Sequence, residues 1–71
     1  MFLILVNMKA YIIKAPRRLG SIPEGYVIQV VSDSTGGPRR TDIEKALVRA
    51  GFADSQSLSY SASGNWKIEE L

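Results

Sequence analysis

The stretch "GGPRRTD" at residues 36–42 places two arginines between a glycine pair and a polar start to an apolar-periodic run, and the same "PRR" occurs earlier in "APRRLGS". Glycines before a helix can turn backbone N–H groups toward a phosphate, helped by the helix dipole. Here the match fails on residue type. The phosphate-loop pattern needs G-x-x-x-x-G-K-[ST], Pro38 has no N–H to offer, and Asp42 and Glu44 put negative charge where an anion would sit. The dinucleotide fingerprint is also missing, so no nucleotide cofactor is expected.

A second chemistry for these side chains is contact with a polyanion. The candidates are Arg17, Arg18, Arg39, Arg40, Lys45 and Arg49, with Lys14 beside the first pair. Lys45 and Arg49 stand four apart and share a helix face. The chain carries nine Lys and Arg against seven Asp and Glu, a formal charge of +2, which permits nucleic-acid binding without demanding it. If strands one and two pair as a simple hairpin, the two PRR segments fall at opposite ends of the sheet, which counts against one compact basic patch in a single copy.

Catalysis has little to work with. There is no His and no Cys, so zinc and most transition-metal sites lack their ligands, and thiolate or imidazole chemistry is excluded. Glu69 and Glu70 are neighbours, so on a strand they point to opposite faces and make no carboxylate pair. No lysine has an evident partner to activate it. The expectation is a non-enzymatic module with no cofactor and no metal.

The elements that position these residues follow from hydropathy. In residues 2–15 the even positions Phe2, Ile4, Val6, Met8, Ala10 and Ile12 are all apolar, which predicts a long strand burying its even face. "APRRLGSIPEG" reads as a loop, with Pro23 at the first central position of a tight turn. "YVIQVVSDS" is a β-branched strand with Tyr26, Ile28 and Val30 on one face and Val27, Gln29 and Val31 on the other. It is expected to pair antiparallel with the first. In "TDIEKALVRAGF", Thr41 with Glu44 reads as a capping box. Ile43, Ala46, Leu47 and Ala50 then make one buried stripe, and Gly51 ends the helix. In residues 57–63, Leu58, Tyr60 and Ala62 alternate with serines, which predicts a strand with a solvated hydroxyl face. Trp66 and Ile68 open a last strand, with Trp66 in the core. The fold class is α+β: a small antiparallel sheet of 3–4 strands in ββαββ order, with one helix, about 41–50, on one face. All of it is a single domain, 1–71, in which Met8 of "MKAYIIKAP" reads as a natural start and marks residues 1–7 as an extra or variable extension.

A domain of this size buries a limited core, and without Cys it has no disulfide to reinforce it. One helix covers only one face of the sheet, while both strands carry apolar residues on both. Three arrangements are open: a second copy of the chain over the face, addition of the N-terminal strand to a neighbour's edge, or closure into a small barrel. Self-association is the expected one, through Phe2, Leu3, Ile4, Leu5, Val6, Val27 and Val31; a further protein partner fits the same surface. "MFLILVNMK" lacks the basic flank of a signal peptide and the length of a membrane span, so no membrane partner is expected. The absence of Cys fits a reducing, cytoplasmic setting.

Across "IPEGYVIQVVSDSTGGPRRTDIEKALVRAGF" and "SASGNWKIE", the chain resembles small proteins of unassigned function from gut anaerobic bacteria. The resemblance spans most of residues 8–70. It implies a short stand-alone bacterial protein, carries no catalytic motif and lends no residue a role.

Overall fold

In a computed structural model, which describes residues 8–71, the chain forms β1 (Lys9–Lys14), β2 (Val27–Ser32), α1 (Arg40–Arg49), α2 (Ser55–Leu58), a 3-10 turn (Ser63–Asn65) and β3 (Lys67–Glu70). β1 is the central strand of a three-stranded antiparallel sheet of order β2-β1-β3. The α+β class, the β1–β2 pairing, one main helix and a final strand are as expected, and a fourth strand is not. Residues 57–63 make no strand, so the order is ββα followed by a second short helix, a turn and one strand. Among the described residues β2 and β3 do not pair, so the sheet they form is open and not closed into a barrel.

A short capped helix in place of the strand accounts for the difference at the serines. Ser57 and Ser61 are buried and lie four apart, while the Asp54 carboxylate accepts from the Ser57 N–H at 3.0 Å and so caps α2. The spacing of alternate serines suits a strand equally well. The Asp three residues before Ser57 was the signal for a helix start.

The buried face of β1 also differs from expectation. Tyr11, Ile13 and Ala15 are buried, whereas Met8 is exposed and Ala10 and Ile12 are half-covered. The odd residues face the helices because β1 pairs Tyr11 with Val30 and Ile13 with Ile28, the covered face of β2. The even residues Phe2, Ile4 and Val6, with Leu3 and Leu5, lie outside the described residues, as does the N-terminal part of the expected long strand.

α1 starts one residue earlier than expected and is capped differently. Arg39 is the N-cap; its backbone N–H donates to the Asp42 carboxylate at 2.9 Å, while Thr41 lies inside the helix. Asp42 comes three residues after the cap, as in a capping box, but arginine has no acceptor to return the bond. At the other end Gly51 takes φ of 101°, and the N–H groups of Gly51 and Phe52 reach the carbonyls of Val48 and Leu47. That double closure is a Schellman motif. It leaves Ala50 exposed as the C-cap, so the buried stripe is Ile43, Ala46 and Leu47 only. Phe52 turns back edge-on to Tyr26 with ring centroids 5.0 Å apart.

The loop between β1 and β2 holds more structure than its composition suggested. Leu19 and Ile22 are fully buried and exchange two backbone hydrogen bonds of 2.9 Å around Gly20-Ser21. Gly20 has φ of 64° and Ser21 does not have a positive φ, which is the pattern of a two-residue II′ hairpin turn. "LGSI", two apolar residues flanking Gly-Ser, was the available signal. The tight turn that follows closes from the Tyr26 N–H to the Pro23 carbonyl, so Pro23 occupies its outer first place and not a central one. The core joins this hairpin to the sheet, to α1 and to Trp66.

Candidate functional site

One face of the sheet lies under α1, the Leu19–Ile22 hairpin and the C-terminal turns. The opposite face carries Ala10, Ile12 and Lys14 from β1, Val27, Gln29 and Val31 from β2, and Lys67 and Glu69 from β3, since paired residues share a face. Val27 is 50% and Val31 49% exposed. A shallow depression of 430 Å³ on this side is lined by Ile12, Lys14, Val27, Lys67, Ile68 and Glu69. The apolar middle of this face is thus flanked by cations of two strands and one carboxylate. Val27 and Val31, two of the residues expected in a self-association surface, lie half-exposed on this face.

Among the described residues no strand pairs with the outer edge of β2 or β3, and the hydrogen-bond phase shows which groups each edge offers. The Ala15 N–H donates to the Tyr26 carbonyl, so Ile13–Ile28 and Tyr11–Val30 are the hydrogen-bonded pairs of this ladder. The backbone N–H and C=O groups of Val27, Gln29 and Val31 therefore point away from β1. By the same reasoning, the Leu71 N–H on the Ala10 carbonyl turns the groups of Ile68 and Glu70 outward on β3.

The basic residues do not converge. Arg17 and Arg18 follow the end of β1, and Arg39 and Arg40 follow the end of β2. In an antiparallel pair those are opposite ends, about 20 Å apart over six residues. Two of the four have structural partners. The Arg39 guanidinium donates to Asp33 at 2.8 Å, and Arg18 Nε donates to the Gly20 carbonyl at 3.0 Å. Arg39, expected as a polyanion contact, is both the N-cap of α1 and the ion-pair partner of Asp33. Lys45 and Arg49 do share one side of α1, facing β2, and neither has an ion-pair partner among the described residues. Lys9 is paired with Glu70 at 3.0 Å, and that bond and charge hold its ammonium above the usual lysine range.

The carboxylates are likewise engaged. Around Asp42, burial pushes the pKa up, but the Ser32 hydroxyl, the Arg39 N–H and the charges of Arg39 and Lys45 outweigh it and leave it below the usual value. Asp54 is also held low, first by the Ser57 N–H and then by the hydroxyls of Ser21 and Ser57. A depressed folded-state pKa stabilises the fold above the ordinary carboxylate range, and that stabilisation is lost as pH falls through the folded value. Acidification is therefore expected to release the Ser21–Ser57 junction before the sheet. In amide exchange followed by NMR from neutral pH downward, Ser21 and Ser57 lose protection while Ile13 and Val30 keep theirs. Loss at all four sites together would show that Asp54 protonation does not open this junction separately.

Among the described residues no group of acidic side chains is placed to hold a metal ion, and no helix is long and apolar enough to cross a membrane. Trp66 is in the core, its indole N–H donating to the Tyr60 carbonyl at 2.8 Å. Its ring is therefore not available for stacking on a base. Comparison with known proteins finds no match: no family model, no curated protein and no solved structure aligns with this chain.

Proposed function

We propose that this protein is a non-enzymatic interaction module that self-associates through the uncovered face of its sheet. The observation that carries this reading is the asymmetry of the sheet. Ile12, Val27 and Val31 form an apolar strip on the side that no helix of the described residues covers, although a small chain has little apolar surface to leave in water. A second copy related by a two-fold axis presents the same strip, and such a self-complementary contact buries both at once. Lys67 and Glu69 lie on this face at its β3 side, so a two-fold arrangement can set the ammonium of one copy against the carboxylate of the other. The carboxylates Asp33, Asp42, Asp54 and Glu70 are committed to caps, turns and ion pairs, which supports binding over catalysis.

Charge placed in the strip separates association from folding. Val31→Lys and Val27→Glu each alter a half-exposed side chain on an edge strand, so the monomer keeps its fold. In sedimentation at micromolar concentration the parent chain runs as a dimer or larger and both variants run as monomers, with unchanged far-UV circular dichroism. A parent chain that is monomeric throughout the micromolar range would overturn the proposal.

A further inference from the structure

The outer edge of β2 runs beside α1, and the two enclose a groove separate from the open sheet face. Two adjoining hollows mark it. One, of 160 Å³, is lined by Gln29, Val30, Val31, Asp42, Lys45, Ala46 and Arg49, and the next, of 170 Å³, by Ile28, Gln29, Ala46, Arg49 and Ala50. As α1 advances from Asp42 to Ala50 the strand residues beside it descend from Val31 to Ile28, so helix and strand are antiparallel along the whole groove. Its strand wall offers the outward N–H and C=O groups of Gln29 and Val31. Its helix wall has the small Ala46 at the bottom and Lys45 and Arg49 above.

We propose that this groove binds an extended segment of a partner protein as a fourth strand on β2, and that it selects segments with acidic side chains at alternate positions. Strand addition at a free edge gains affinity from main-chain hydrogen bonds and specificity from alternate side chains. The spacing supports the selection. Lys45 and Arg49 are one helical turn apart, about 6 Å along the axis. Same-side residues of a strand recur at about 6.6–6.8 Å. An acid-x-acid segment thus sets one carboxylate against each cation, while the residue between them faces the other side and extends the open sheet face with an apolar side chain. Asp42 is the one carboxylate on the groove. It stands at the Val31 end, already bonded to the Arg39 N–H, and leaves Lys45 and Arg49 to dominate the middle. This chain has no exposed strand with acids at alternate positions, since Glu69 and Glu70 are adjacent. A separate protein is therefore the better occupant than a second copy.

The test uses the full isotope-labelled chain and the peptide Thr-Val-Asp-Val-Asp-Val-Thr, followed by NMR titration. The expected result is saturable binding that shifts and protects the Gln29 and Val31 amides. Changing both Asp to Asn, or both Lys45 and Arg49 to Ala, weakens it by about tenfold or more, as for lost charge-assisted contacts. Methylating alternate peptide nitrogens abolishes it, and this probe leaves the protein itself unaltered. Gln29→Pro removes one outward donor from an edge strand, a position where proline is tolerated, and weakens binding likewise. The proposal is overturned if the N-methylated peptide binds as well, if the Gln29 and Val31 amides do not respond, or if a single-stranded oligonucleotide shifts the same amides as strongly. It is also overturned if those amides are already protected in the free protein in a concentration-dependent way, which would give the edge to a second copy.

Discussion

Trp66→Ala is expected to remove about 3–5 kcal/mol of stability, from about a third of the total to all of it. Large-to-small changes at buried aromatic positions cost about 3–5 kcal/mol, the lost transfer energy plus a cavity that neighbours fill incompletely. A native domain of this length has only about 4–10 kcal/mol in total. Trp66 is 6% exposed and immediately precedes β3, where it joins the last strand to the core beneath β1. Its indole N–H also satisfies the Tyr60 carbonyl, so truncation removes a partner from a part-buried acceptor as well as apolar volume. Trp66→Phe keeps much of the volume and loses the donor, and is expected to cost about 1–3 kcal/mol. Urea titration followed by far-UV circular dichroism reads both, since the single tryptophan is no longer available as a fluorescent probe. Midpoints that fall in the order parent, Phe, Ala are expected. A Trp66→Ala midpoint equal to the parent's would contradict the placement of this ring in the core.

Gly20→Ala is expected to be the most damaging single-methyl addition. The residue has φ of 64°, and a Cβ there would stand 2.8 Å from Ser57 Oγ and 3.0 Å from both the Ser57 Cα and N. The left-handed conformation alone costs an L-residue about 1–2 kcal/mol. The clash is the larger matter, because the Ser57 backbone is held by the Asp54 cap and cannot retreat without breaking it. Ser57 Oγ also accepts from the Ser21 N–H at 3.0 Å, so the hairpin and α2 separate together. A total loss of about 2–4 kcal/mol would lower the melting temperature by roughly 13–27 °C in a chain of this size. Gly25→Ala is the control: it shares a positive φ but has nothing within 4 Å of the added methyl, and so shows the backbone cost without the clash. Equal melting temperatures for the two variants would show that the Gly20–Ser57 approach contributes nothing beyond conformation.

Much of the first half of this fold was legible because local signals and tertiary environment agree there. The β-branched run at 27–31 and the Ile43–Leu47 spacing each fit only one element. Legibility failed where one pattern served two structures. The alternating serines of 57–63 match a strand, yet their i, i+4 pair is what the chain buries. The apolar even positions of β1 match a buried face, yet the odd ones are covered. The residues of the candidate groove were only half visible. Lys45 and Arg49 were readable as neighbours on a helix, while their place beside the β2 edge depends on how α1 lies on the sheet.

The amino-acid sequence by itself determined the α+β class, the β1–β2 hairpin, the span of α1 and the lack of imidazole and thiol groups, because periodicity, caps and composition act over a few residues. Only the tertiary structure decided that β3 joins β1 and leaves β2 open, that the two Arg pairs stay apart, and that Arg18 and Arg39 are tied to partners. Strand order and the partners of a side chain depend on groups far apart in the chain. They are set by which arrangement buries Ile13, Leu19, Ile22, Leu47 and Trp66 together while pairing the backbone, and no short window of sequence contains that competition.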